Sequence, residues 1–512
     1  MADGRALPGL VTYGDDATNR LLSAAAHLDE EFAHGTAVEL TEDRLEALGP
    51  ALGLDLVAVA RHARAATRRT LLRDALLTGL LAMLAGGAAL RVYASFVHRP
   101  DLLLGLSRFA LAGGFLGAWL LVLAAEHRAR TMALRAIGTK GHPGGLVPPL
   151  APAVEDALRE QERANAVPYH EVAGHDTPFV GSGRAVLERV WQPIDVSTPA
   201  ADPDGGPAPE IVPFDVVELH EFVAGQMGTI AGLEGLRTQD RLYVLGTRVG
   251  YAGPELLPDR LRAPRPVVPQ ELVRAALARP GAGMRTYLCM ERAGEGGRVI
   301  VSMHLRARLQ HPSLTWELAA YVVPPLREEF EAVRTLRLDP FGRWSTLLAT
   351  GTRRFPPLLF KAPARLLRRG RQRGLRRGRL WYWRWVIGRR HTEFDYGATG
   401  GIRERAGDWE RMGFTEQTDA VDFFQRLQQG VLTATERFLK AHNVDTSSFE
   451  EARQVINHHN YTFQGPVNGA GNFGAGGTVN ISAPGPLTGA AKPGPSAAPG
   501  GGPGPAPAPA KP

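Results

Sequence analysis

Two apolar runs stand close together between Thr70 and Arg130, and they limit what the rest of the chain can do. The second, Leu102–Ala125, reads LLLGLSRFALAGGFLGAWLLVLAA, 24 residues with Arg108 as its single charge. A bilayer core of ~30 Å takes about 20 apolar residues at ~1.5 Å rise, so this run is long enough to cross one. The first, Ala75–Val97, is uninterrupted for the 16 residues Ala75–Leu90 before Arg91 intervenes. It crosses if Arg91 snorkels to the far interface and Val92–Val97 completes the helix. The link His98-Arg99-Pro100-Asp101 makes the pair a helical hairpin. The alternative is two buried helices of a soluble domain.

The flanks orient such a hairpin. Arg61, Arg64, Arg68, Arg69 and Arg73 precede it, and Arg128, Arg130, Arg135 and Lys140 follow. Positive charge at membrane ends stays inside, so we expect a multi-pass protein of the cell membrane with both termini cytoplasmic. The N-terminus has no basic segment leading into an apolar one, so the first run is expected to act as an internal signal-anchor. Cys289 is the only cysteine in 512 residues, which excludes a disulfide framework and a cysteine-based zinc site.

The expected architecture is α+β. Residues 1–69 form a helical cytoplasmic region, with Leu21, Leu22, Ala25 and Leu28 at helical spacing and a next helix starting at Thr41. The hairpin occupies 70–130, with spans 75–97 and 102–125. A short charged helix over Val154–Asn165 opens a cytoplasmic domain over 150–345, built on an antiparallel sheet. In its clearest strand Val299, Val301, Met303, Leu305, Ala307 and Leu309 face one way, and Ser302, His304, Arg306 and Arg308 the other. Such alternation marks a half-buried strand. MRTYLCMER and the turn Gly294–Gly297 suggest its hairpin partner, Trp316–Val323 a third strand. Prolines open two helices, at Pro269 and Pro324-Pro325.

A basic-aromatic segment, 353–392, carries 14 Lys or Arg and no acid between Arg353 and Arg390. Arg365, Arg368, Arg369, Arg371, Arg373, Arg376, Arg377, Arg379, Arg384, Arg389 and Arg390 alternate with Trp381, Trp383 and Trp385. Guanidinium groups meet lipid phosphate and indoles favour the interface, so these residues are expected at the anionic inner-leaflet surface. Nucleic acid would use the same phosphate attraction but is not expected, because no recognition module surrounds the segment. An ordinary solvated or packing face is the third reading. In the helical region 393–455, Ala420, Phe424, Leu427, Val431, Ala434 and Phe438 form a short heptad seam, so 418–442 either packs on its own domain or pairs with a second copy. The tail, 456–512, runs from Asn/Gly-rich into Pro/Ala/Gly sequence that cannot bury a core and is expected to be disordered.

Catalytic patterns are absent. His170 and His175 are five apart, which turns them off one helical face and out of the zinc-protease pattern. Gly469–Gly474 spells a dinucleotide motif without a βαβ unit around it. Gly181-Ser182-Gly183 lacks the spacing of a nucleophile elbow. We therefore expect no enzyme, no cofactor and no metal.

The stretches LLSAAAHLDEEF, LGLDLVAVARHARA, TPFVGSGRAV, FDYGATGGIRERAG and FLKAHNVDTSSFEEARQVINHHNYTFQGPVNGAG resemble a group of uncharacterised actinobacterial (Streptomyces-like) membrane proteins. The resemblance implies cytoplasmic N- and C-terminal regions around apolar spans. Gln464-Gly-Pro-Val-Asn468, NFG and TVNI are similar to short amyloid-signalling motifs of cell-death proteins. That likeness implies self-assembly through Phe463, Gln464, Val467, Asn468, Asn472, Phe473, Val479 and Asn480. The expected function is a membrane-anchored scaffold or adaptor that recruits an unidentified cytoplasmic protein partner. The alternative is a membrane-perturbing cell-death effector triggered by assembly of the tail.

Overall fold

Asp29 divides what would otherwise be one N-terminal helix. Its carboxylate accepts from the amides of Glu31 (2.8 Å) and Phe32 (3.1 Å), ending α1 (Ala17–Leu28) and capping α2 (Glu30–Thr41). The computed structural model describes residues 17–449 apart from 97–100, 139–140, 171–176, 202–205, 231, 234, 282, 295–296, 337–338, 391–392 and 448. The expected helix start at Thr41 is corrected. Thr41 ends α2, its hydroxyl donating back to the Ala37 carbonyl at 2.6 Å. Gly49, Pro50 and the positive-φ Gly53 then keep the chain irregular up to Asp55.

Asp55 caps α3 (Leu56–Ala94), and α4 (Asp101–Ile137) returns beside it. At 39 and 37 residues each helix is roughly 55–60 Å long, so the apolar runs are the outer parts of longer rods. Glycine allows the close approach. A Cβ on Gly87 would lie 3.0 Å from the Ala110 Cβ, and one on Gly114 would lie 3.0 Å from Leu84. The two halves of each rod differ. Near the base, Val59, Ala60, Ala63, Ala66, Ala133 and Ala136 are buried against α1 and α2. Further out, only 11% and 17% of the apolar windows is buried, and Leu76, Met83, Phe109, Phe115, Leu116 and Leu120 face outward. A soluble core would bury such helices. Both are long and apolar enough to cross a membrane.

After α5 (Pro152–Glu162) comes a seven-stranded sheet. Its strands are β1 (Ala166–Tyr169), β2 (Arg184–Val190), β3 (Ile194–Asp195), β4 (Arg237–Leu245), β5 (Met284–Ala293), β6 (Ile300–Gln310) and β7 (Ser313–Val323). The order is β1-β4-β5-β6-β7-β2, with β3 also on β7. The pairing is antiparallel except at one edge, where β1 runs parallel to β4, so the expected antiparallel sheet is a mixed one. The expected half-buried strand is likewise corrected. β6 is buried on both faces, because α6 (Val216–Met227) and α12 (Phe414–Ala441) cover Met303 and Leu305 while a cluster of aromatic rings covers His304. Pro269 is the cap of α7 (Gln270–Ala278) and not its first residue, and the Pro324-Pro325 pair precedes only the single turn α8 (Glu328–Glu331).

The basic segment is two helices, α9 (Pro340–Phe360) and α10 (Ala362–Arg390), followed by the short α11 (Ile402–Arg405). On α12, Ala420, Phe424, Leu427, Val431, Ala434 and Phe438 are all buried against α6 and the sheet. The six seam residues are thus packed within the chain. Phe424→Ala is expected to lower stability by ~3–5 kcal/mol, read as a lower Tm of the detergent-solubilised protein. The oligomeric mass by light scattering should not change; a change would return the seam to an intermolecular role.

Candidate functional site

The site begins with one carboxylate. Asp74 is the single acid between Asp55 and Asp101, it sits on α3 where the apolar run starts, and it is fully buried. Arg365 donates to it through two nitrogens, Nη2 to Oδ1 at 2.8 Å and Nε to Oδ2 at 3.0 Å. Arg369 Nη1 reaches Oδ2 at 3.2 Å, and Arg73 Nη2 reaches Oδ1 at 2.8 Å. Glu30 at the start of α2 closes the ring, accepting from Arg73 at 2.6 Å and from Arg369 at 3.4 Å. Three guanidinium groups against two carboxylates leave the collar at +1. Helical spacing makes this possible: Arg365 and Arg369 are i and i+4 on one face of α10. An ion pair this dry is costly to half-remove, about 3–5 kcal/mol when one partner is lost.

The collar fixes the direction of α10. Beyond Arg369, Arg376 pairs with Glu42 at 3.4 Å, and Arg384 pairs with Asp43 at 2.7 Å while donating to the Leu261 carbonyl at 3.0 Å. The helix therefore follows α2, which runs from Glu30 beside Arg73 down the base half of α3. Its far end leads away from the apolar band; Trp381 stands 19 residues, or roughly 28 Å, past Ala362. The fourteen residues assigned to the membrane surface thus separate. Arg365, Arg369, Arg376 and Arg384 hold acids of the N-terminal unit and α3. Trp383 packs edge-on to Phe394 with centroids 5.2 Å apart. Arg389 and Arg390 lie over Trp385, each 5.7 Å from its ring. Among the described residues, Arg368, Arg371, Arg373, Arg377 and Arg379 form no ion pair, and Trp381 is exposed. The segment runs as a strut from the hairpin to the α+β domain, with part of its arginine face engaged in ion pairs. The self-assembly residues, Phe463 to Asn480, lie outside the described residues.

Helix α9 runs antiparallel to α4. Trp344 stacks on His127 at 5.5 Å, Trp119 Nε1 donates to Thr352 at 3.3 Å, and Phe355 meets Phe115 edge-on at 5.2 Å. Leu77, Ala118, Val122, Phe355, Leu359 and Ala362 then form one buried cluster. Reading by periodicity missed α9, because Arg353, Arg354, Pro356 and Pro357 break the pattern. It also missed Asp74, whose signal was a lone acid at the mouth of an apolar run.

A second constellation lies in the sheet. His304 Nε2 is 3.2 Å from Ser182 Oγ, its Nδ1 is 3.2 Å from Cys289 Sγ, and Phe179 stacks on the ring at 4.2 Å. Ser182 is held between Gly181 and Gly183, whose φ values are +86° and +88°. Burial keeps His304 neutral, well below its usual pKa, and pushes the Cys289 thiol up to about 12. A protonated thiol is no nucleophile, and among the described residues no carboxylate is hydrogen-bonded to the imidazole. This is a hydrogen-bonded core. Beside it, a cavity of about 190 Å³ is lined by Pro50, Gln161, Gln239, Arg241, Cys289 and Glu291. Among the described residues no cluster of three or more His, Cys, Asp or Glu side chains is placed to hold a metal; His175 lies outside the described residues.

These features define an α+β domain braced to an apolar helical hairpin through a buried charge collar. The chain belongs to the AbeC-like domain family, whose match covers residues 190–480, more than half of the chain. The match takes in the sheet beyond β2, the strut and α12, and leaves the hairpin outside. No curated protein and no solved structure matches the chain.

Asp74→Asn is expected to destabilise the protein by ~3–5 kcal/mol and to open α10 to trypsin; unchanged Tm and digestion would show that the collar is not the clamp. Stability should also depend on pH. Burial, with Arg69 and His62 nearby, lowers His27 from 6.5 to about 3, so the unfolded chain takes up a proton the native one refuses. This contribution is complete above about pH 6.5 and is lost progressively toward pH 3. Glu30 acts in the same sense lower down: burial opposes ionisation, but Arg73 prevails and holds the carboxyl below 4.5. Melting curves from pH 8 to 4 should show a falling Tm, and His27→Phe should flatten the upper part of the slope.

Proposed function

We propose that the protein is a membrane-anchored scaffold that holds its AbeC-like domain at the inner face of the bacterial membrane and recruits a cytoplasmic partner there. AbeC-type domains belong to bacterial abortive-infection and cell-death-like systems, so the response it serves is of that kind. The observation that carries the reading is the division of α3 and α4 into a packed base and an apolar band left open to its surroundings. Lipid is the surrounding that makes such a band stable. The arginines flanking the band favour an inward-facing base. The collar and strut support a rigid connection, so an event on the domain is transmitted to the hairpin. The role proposed is non-catalytic, with the C-terminal tail as the recruiting arm.

A second reading is supported by α9, which adds an apolar edge beside the hairpin: a membrane-perturbing effector whose assembly makes the bilayer leak. Dye release from vesicles separates the two. The scaffold reading expects membrane association without leakage; leakage at sub-stoichiometric protein favours the effector.

For the anchor itself, the full chain should stay in the membrane pellet after alkaline carbonate washing. A C-terminal tag should be digested by protease added to inverted vesicles and protected in spheroplasts. Replacing exposed Phe109 and Leu116 by Asp in one variant, each costing about 2.5–3.5 kcal/mol at a span centre, should move the protein to the wash. Retention of that variant would sink the proposal.

A further inference from the structure

We propose that the elbow between α9 and α10, Phe355–Phe360, is a re-entrant wedge seated among the acyl chains of the inner leaflet, so that three helices and not two meet the bilayer. The inference rests on the reading that α3 and α4 cross the membrane, and adds a lipid-contacting element outside both spans.

Depth comes first. The elbow packs on Leu77, Ala118 and Val122, which lie inside the two apolar runs. Val122 is three residues and Ala118 seven from the inner end of the second run, Ala125, or roughly 5 and 10 Å. Phe360, the last residue of α9, is 68% exposed, as Leu76, Leu116 and Leu120 of the two apolar runs are exposed.

The end of a helix in hydrocarbon must not leave backbone groups without partners. The elbow meets this internally. Arg365 donates to the Pro357 carbonyl at 3.3 Å and to the Leu358 carbonyl at 2.7 Å. Its charge is matched by the same Asp74 that it clamps. Lys361 donates its amide to Pro357 and accepts from the Arg365 amide at 2.9 Å. One guanidinium thus closes the helix end and ties it to the hairpin. Lys361 is exposed at the tip, and its stem can carry the ammonium to the phosphate level. A water-facing loop would have no need of such closure.

The test uses the full chain, in which the natural Cys289 is buried and unreactive. Phe360→Cys, Leu116→Cys and Tyr382→Cys are each labelled with an environment-sensitive nitrobenzoxadiazole dye and reconstituted into phosphatidylethanolamine–phosphatidylglycerol vesicles. Quenching by acyl-chain nitroxides is compared with quenching by aqueous iodide. The expected result is that the label at 360 behaves like that at 116, with nitroxide quenching at least twofold stronger than at 382 and weak iodide quenching. Iodide quenching at 360 equal to that at 382, with 116 still lipid-quenched, overturns the wedge and spares the anchor. Aqueous behaviour at 116 as well overturns both.

Discussion

The buried carboxylate of Asp74 is the interaction on which the arrangement of this molecule depends. A charge with no solvent access is tolerated only when its partners are held in place. Here they come from two separate parts of the chain, Arg73 on the same helix and Arg365 and Arg369 from almost 300 residues away, and Glu30 from a third part braces two of them. Because guanidinium geometry is planar and directional, the collar sets the angle at which α10 leaves the apolar band. The further pairs at Glu42 and Asp43 keep it on that line. Four of the eleven arginines expected at a lipid surface, Arg365, Arg369, Arg376 and Arg384, thus hold acids within the chain.

The α+β domain is organised by a different constraint, burial on both faces of one sheet. Met303 and Leu305 on one side of β6 need α6 and α12, and His304 on the other needs a lid of rings. His304 finds hydrogen bonds to Ser182 and Cys289 within that lid, so a polar side chain is accommodated without a charge. The Ser-His contact sits among packed rings, with Cys289 also lining the neighbouring cavity. The AbeC-like match covers most of this domain, and the hairpin lies outside the matched residues.

Legibility differed by the range of the interaction. The strands at Met284–Ala293 and Ile300–Gln310 were readable because alternation acts over a few residues. The apolar runs were readable because length and hydrophobicity suffice. The end of the second helix was not readable, since Thr41 followed by acids has the pattern of a helix start while its hydroxyl in fact closes α2 on the Ala37 carbonyl. The two-sided burial of β6 was not readable, since Ser302, His304 and Arg306 look like a solvent face until their covering elements are known. Likewise the seam of α12 has one pattern whether its partner is a sheet or a second helix.

By itself, then, the sequence determined that two helices carry an apolar band, that a basic helical region follows an α+β domain, and that the tail has too little apolar sequence to build a core. These are properties of composition and short-range period, which each segment carries alone. Only the tertiary structure decided that Asp74 would be the hub, that α9 would lie along α4, and that the basic helix would be a strut leading away from the band. Those outcomes depend on which distant charges and apolar faces meet, and the energy of a buried ion pair belongs to the meeting and not to either residue.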